Sequence, residues 1–169
     1  VKIKSHPTLY AGTLFRSRLE ATWAAFFDLS GLPWAYEPID LEGWVPDFAL
    51  WLNHPVYVEV KPAPLSQSLA LLDVAVLQSN FGGFDKARAH QGDVCVLLLG
   101  MRPNDDADYF GIGTLLDLPP ADRSPIDRDG LDGMEWYGPD WLKLHSQLKV
   151  VNARKIWGAA LAATQWVPA

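Results

Sequence analysis

From Thr13 to Leu29 the apolar residues Phe15, Leu19, Trp23 and Phe26 recur at steps of four, four and three, which is the spacing of one face of an amphipathic helix. Thr13 is the candidate cap, and Ser30-Gly31-Leu32-Pro33 supplies the stop. The pattern then shifts to extended segments over Trp34 to Ile39, Val45 to Leu52 and Val56 to Lys61. Leu41 to Trp44 and Asn53-His54-Pro55 form the turns between them, and Pro62 closes the last. Helical spacing returns in Leu65 to Leu77 (Leu65, Leu69, Leu72, Val76). After Gly82-Gly83 a shorter helical stretch, Phe84 to Gln91, leads into a strand over Val94 to Leu99. Tyr109 to Leu116 reads as a further strand, Leu118 to Pro139 as a long irregular loop and Trp141 to Trp166 as a helix. The elements add up to an α/β (α+β) fold in α-β-β-β-α-β order, a mixed central sheet flanked by helices.

Alternation within the second and third strands sorts their side chains. With a three-residue loop at Asn53-His54-Pro55, Leu52 faces Val56, Asp47 lies opposite Lys61 and Ala49 opposite Glu59. Odd positions Asp47, Trp51, Tyr57, Glu59 and Lys61 then share one face, while Phe48, Leu50, Val56, Val58 and Val60 form an apolar underside. A bland exposed strand face mixes Thr, Ser, Lys and Glu. This one is aromatic apart from Asp47, Glu59 and Lys61, which predicts a covered face. The competing structural reading is a surface hairpin with an incidental Glu59 and Lys61 pair.

Composition narrows the setting. A chain of 169 residues that is 49% hydrophobic suits one domain with a substantial core. No apolar run reaches the length of a membrane span and no apolar signal segment follows the first residues, so the expectation is a cytoplasmic protein with no membrane partner. Cys95 is the single cysteine, which excludes an internal disulfide and a cysteine-built zinc site. His6, His54, His90 and His145 show no ligand spacing.

A net charge of −6 argues at first against a nucleic-acid partner. Residues 105–140 alone carry −8, so the rest of the chain sums to +2. Residues 141–169 contain Lys143, Lys149, Arg154 and Lys155 and no acidic residue, a segment that suits a phosphate backbone or a plain solvated helix face.

The candidate chemistry lies in Pro46-Asp47-Phe48 and Glu59-Val60-Lys61, whose acids are twelve positions apart. Two carboxylates and an ammonium on neighbouring strands are what divalent-cation-assisted phosphodiester cleavage requires: hard oxygen ligands, and a cation beside the attacking water. Glu20, between Leu19 and the buried stripe, leans over the sheet edge in this reading. Its bland alternative is an Arg16–Glu20 surface pair. Arg16 and Arg18 are candidates for phosphate contact, joined by Lys86 and Arg88 on the Phe84 to Gln91 segment.

Together, Phe15-Arg16-Ser17-Arg18-Leu19-Glu20, Tyr36-Glu37-Pro38, Pro46-Asp47-Phe48 and Glu59-Val60-Lys61-Pro62 resemble the PD-(D/E)XK nuclease superfamily, over about residues 13–100. Within it the chain is similar to small phage-type nucleases and to the catalytic domain of transposon-end-cutting endonucleases. The resemblance implies a restriction-endonuclease-like core and a DNA substrate in a bacterial host or phage-infected cell. It implies Mg²⁺ (or Mn²⁺) held by Asp47, Glu59 and the Val60 carbonyl, with Glu20 on a second ion or a metal-bound water. Lys61 would orient or activate the nucleophile, in an endonuclease more readily than an exonuclease. The segment Pro64 to Gly83 is longer than the superfamily's usual step, as an insertion covering the cleft or building a dimer contact would be.

Two other readings stand beside the enzyme. One is a noncatalytic nuclease-fold phage or accessory protein that binds nucleic acid or a protein partner. The other is an α+β interaction module built on the eight tryptophans and the acidic loop. Specificity in any of them would come from a homodimer, a partner protein or the C-terminal third. Gly111-Ile112-Gly113 lacks the third glycine of a dinucleotide site, and Asn53-His54 lacks the second segment of a His-Asn-His nuclease.

Overall fold

The computed structural model describes residues 5–41, 43–52, 55–62, 95–103, 112–117 and 148–165. The expected helices Leu65 to Leu77 and Phe84 to Gln91, with Lys86 and Arg88, lie outside these residues. So do the Asn53-His54 turn, the loop from Leu118 to Pro139 and the first part of the C-terminal helix.

The chain begins with a hairpin that its hydrophobic spacing did not announce. β1 (Thr8–Tyr10) pairs antiparallel with β2 (Thr13–Phe15), and Ala11 and Gly12 between them both take positive φ, 48° and 82°, the geometry of a tight two-residue turn. Thr13 is therefore a strand residue paired with Tyr10 and caps nothing. The helix α1 runs over Arg18–Ser30 and is capped by Ser17, whose side chain accepts a bond from the Glu20 amide. The sequence carries this start in Ser17-Arg18-Leu19-Glu20, a capping-box spacing. The stop is as expected, with Gly31 left-handed at φ 69° and its amide bonded to Asp28 and Phe27 carbonyls.

Among the described residues five strands form one mixed sheet in the order β3-β4-β5-β6-β7: β3 (Trp34–Tyr36), β4 (Phe48–Trp51), β5 (Pro55–Val60), β6 (Cys95–Leu99) and β7 (Thr114–Asp117). β3, β4 and β5 are an antiparallel meander, β6 joins β5 in parallel, and β7 returns antiparallel on β6. The first two meander strands are shorter than expected. β3 ends at Tyr36 because Glu37 takes a positive φ of 44°. β4 starts only after Pro46, which has no amide to give a ladder.

Register differs from expectation by two. Trp51 faces Pro55 and Ala49 faces Tyr57, so the hairpin loop is residues 52–54, and Asp47 continues the register opposite Glu59 instead of Lys61. A shift of two leaves every side chain on its expected face. Phe48, Leu50, Val56 and Val58 are fully buried in the core with Phe15, Phe26, Phe27, Leu97 and Leu99.

α1 covers the apolar face, and α2 (Ala153–Ala163) packs on α1. The helix pair is joined by Trp23 against Trp157, with ring centroids 4.6 Å apart, and by a buried 2.9 Å hydroxyl contact between Thr22 and Thr164. Trp23 also donates its indole N–H to the Gly100 carbonyl at 2.9 Å, tying α1 to the end of β6. Within the expected helix from Trp141 to Trp166, residues 148–152 are non-helical, and Asn152 sits at φ 60° just before the first turn of α2. Gly113 lies so close to β6 that a β-carbon there would meet the Leu98 carbonyl at 2.5 Å. Its conformation answers to sheet packing. Cys95 is a partly buried strand residue against the core, and no helix among the described residues is long and apolar enough to cross a membrane.

Candidate functional site

Asp47 and Glu59 sit side by side at the end of the β4–β5 ribbon, 6% and 9% exposed. Each of their oxygens is held. The Val60 amide donates to Asp47 Oδ2 at 2.7 Å and the Arg16 guanidinium to Oδ1 at 2.5 Å. Across the ribbon, Lys61 Nζ donates to Glu59 Oε1 at 2.6 Å and the Trp44 indole N–H to Oε2 at 3.0 Å. Trp44 is itself fixed edge-on against Tyr57, centroids 6.2 Å apart. The expected covering of this face is present at Tyr57, which is 2% exposed, whereas Trp51 is half exposed.

Glu20 reaches the same place from the first turn of α1. The Ser17 hydroxyl donates to its Oε1 at 2.7 Å and the Tyr36 hydroxyl to its Oε2 at 2.6 Å. The expected Arg16–Glu20 pair exists at 3.8 Å, but Glu20 is buried and Arg16 reaches past it to Asp47, so this is no surface ion pair. Arg16 also meets Glu37 at 2.9 Å. Its own amide donates to the Tyr36 hydroxyl at 3.2 Å. Tyr36 thus accepts from Arg16 and donates to Glu20, linking the two.

The electrostatics are those of crowded carboxylates. Burial, with the charges of Glu59 and Glu20 adding to it, pushes Asp47 up to about 7, against the opposing pull of the Val60 amide and Arg16. The Tyr36 hydroxyl is raised to about 12 by burial and by its bond to Glu20, so it stays a proton donor to that carboxylate.

Four of the residues singled out in the sequence, Asp47, Glu59, Lys61 and Glu20, converge here. Arg16 joins them, on carboxylates and not on an open phosphate-binding surface. Arg18 points elsewhere: it is exposed and lines, with His6, Ser17, Glu20, Val60 and Pro62, a cleft of about 740 Å³ beside the acids. Sequence reasoning missed Ser17, Tyr36, Glu37 and Trp44 as supports. The capping spacing around Ser17 was a usable signal, and Tyr36-Glu37 stood in the resemblance without a role. Trp44 is buried and serves Glu59.

The donor set of Asp47 and Glu59 is all oxygen, which suits Mg²⁺ or Mn²⁺ over softer-ligand metals. The dry, mutually repelling acid pair is an environment that a dication would relieve. No group of three or more acidic, histidine or cysteine side chains arranged to hold a metal occurs among the described residues. A metal here would take two carboxylates and complete its shell with main-chain carbonyl, water or substrate oxygen. No family model, curated protein or solved structure matches this chain.

Proposed function

We propose that the protein is a metal-dependent nuclease that hydrolyses DNA phosphodiester bonds at the Asp47, Glu59, Lys61 and Glu20 site. The observation that carries this reading is the placement of two nearly dry carboxylates side by side, with the Lys61 ammonium 2.6 Å from one of them. Fold stability alone does not call for such an arrangement. Burying two like charges raises the free energy of the folded chain, and the apolar face of the same ribbon shows what a purely structural solution looks like.

Mg²⁺ or Mn²⁺, when bound, supplies Lewis acidity at the phosphate and a more acidic water. The chain's own residues do the rest. Asp47 and Glu59 would present oxygens to the ion, with the Trp44 indole fixing the rotamer of Glu59 and the Val60 amide that of Asp47. Lys61, whose side chain is 38% exposed, reaches the substrate side and stabilises negative charge on an attacking hydroxide and on the phosphate oxygens. Ser17 and Tyr36 aim Glu20 at water bound in the site. The cleft past Arg18 and His6 offers a path for the phosphate backbone.

The saturation of Asp47 and Glu59 by Arg16, Lys61, Trp44 and Val60 favours a second reading, a noncatalytic nuclease-fold protein in which a charge network has replaced the metal. The two part on incubation of supercoiled, linear, branched and single-stranded DNA with Mg²⁺, Mn²⁺ or EDTA. Metal-dependent cutting that vanishes in Lys61→Ala supports the enzyme. Intact DNA with every substrate supports the binding protein.

A further inference from the structure

We propose that Arg16 is an internal counterion that a divalent metal must displace from Asp47, and that the displaced guanidinium then contacts a phosphate of the nucleic acid. The inference rests on the metal-site reading above and adds to it an order of events: ion first, then Arg16 on the substrate.

The argument starts from how Arg16 is held. Its backbone is pinned between β2 and the cap of α1, with its amide on the Tyr36 hydroxyl and its carbonyl accepting from the Ser5 hydroxyl. Its side chain is 57% exposed, yet its tip bonds an Asp47 side chain that is 8% exposed. A fixed base with a solvent-washed arm and a buried fingertip is built to pivot: leaving the site costs Arg16 little desolvation and needs no backbone motion.

The oxygen it occupies is the contested one. Asp47 Oδ2 takes the Val60 amide, so Oδ1 is where an ion would bind, and a guanidinium and a dication cannot share it without repulsion. Glu37 provides the alternative dock. Its amide bonds the Asp47 carbonyl at 3.0 Å, and its positive φ of 44° is a strained conformation for a glutamate ahead of a proline. Its carboxylate, at 2.9 Å from Arg16 Nε, is more exposed than that of Asp47, at 35%. Released from Asp47, Arg16 keeps Glu37 on one edge and turns its other N–H groups outward, where a planar fork matches two phosphate oxygens.

Mn²⁺ calorimetry on wild type, Arg16→Ala, Arg16→Gln and Asp47→Ala, each checked for folding by thermal melts, tests the first half. Arg16→Gln removes the charge while keeping a shorter polar side chain, so it serves as the second variant should Arg16→Ala fold poorly. The expected result is Mn²⁺ bound about tenfold more tightly by the Arg16 variants than by wild type, and no binding by Asp47→Ala. Anisotropy with a labelled duplex in Ca²⁺ tests the second half, with DNA held about five- to tenfold more weakly by both Arg16 variants. A residue that merely braces the fold would not improve metal affinity. Equal or weaker Mn²⁺ binding in the folded Arg16 variants, beside Asp47-dependent binding by wild type, overturns the displacement while sparing the metal site. Tighter Mn²⁺ with unchanged DNA binding overturns the phosphate contact. Absence of Asp47-dependent binding in all the proteins overturns the metal reading and this inference together.

Discussion

The two faces of the β4–β5 ribbon are stabilised in opposite ways. On one, Phe48, Leu50, Val56 and Val58 are wholly buried, and the Phe48 ring lies 5.3 Å from Phe27, 5.4 Å from Tyr36 and 5.6 Å from Trp34. Dispersion and the hydrophobic effect hold it, and any close-packed apolar set would serve. On the other, Asp47 and Glu59 are held by directed bonds from Arg16, Val60, Lys61 and Trp44. The groups there are charged and the stabilisation is specific to their placement. The apolar face explains why the ribbon exists, and the charged face explains why it carries these residues.

That contrast can be broken at several points. Lys61→Ala leaves the apolar face alone and removes the ammonium beside Glu59, so metal-dependent cleavage should fall about a thousandfold, near 4 kcal/mol in activation free energy, with a melting temperature within a few degrees of wild type. Phe48→Ala does the reverse. It should cost about 3–5 kcal/mol in urea denaturation, while whatever fraction stays folded retains metal binding in calorimetry. Tyr36→Phe removes one hydroxyl from Glu20 and one acceptor from Arg16, and should lower Mn²⁺-dependent cleavage about tenfold with a small change in stability.

A smaller effect concerns pH. Asp47 is held at about 7 in the fold, first by burial and then by Glu59, against an ordinary value of 3.8. The folded chain therefore binds more protons than the unfolded one between those values, and this group's contribution to stability falls as pH rises through that window. A dication needs the ionised carboxylate and relieves its repulsion with Glu59. The rise in melting temperature on adding Mn²⁺ should thus be several degrees larger at pH 8 than at pH 5.5, at about 2–4 °C per kcal/mol for a chain of this size. The smallest effect belongs to Trp51, half exposed and about 13 Å along β4 from Asp47 at about 3.3 Å per residue. Trp51→Ala should shift stability by about 0.5 kcal/mol and leave single-turnover cleavage unchanged.

Much of this was legible in the chain because a strand's side chains alternate with a period of two. The hairpin loop closes at residues 52–54 and not one residue later, which moves Asp47 from Lys61 to Glu59 as its cross-strand neighbour. The faces survive the slip, so the site could be read even where the pairing could not. The start of α1 was obscured because Phe15 fits the helical stripe and is in fact a strand residue buried in the same core. The Ala11-Gly12 turn that makes it so depends on two positive φ angles, which hydrophobic spacing does not report. Least legible was Arg16 on Asp47, a contact across 31 positions that only the tertiary fold brings together. The supports Tyr36 and Trp44 were hidden for a related reason: an aromatic residue in so apolar a chain reads as core until its polar atom is seen to have a carboxylate partner.

The most direct test of the central claim is the Mn²⁺-dependent DNA cleavage rate of Asp47→Asn beside wild type. The substitution keeps the shape of the side chain but turns one of its two acceptor oxygens into an NH2 donor facing either Arg16 or the Val60 amide, so a thermal melt of the variant accompanies the rate measurement. If the charged face is a metal site that cuts phosphodiesters, wild type cleaves and Asp47→Asn is slower by about a thousandfold. Cleavage undiminished in Asp47→Asn, or no metal-dependent cleavage by wild type, would contradict it.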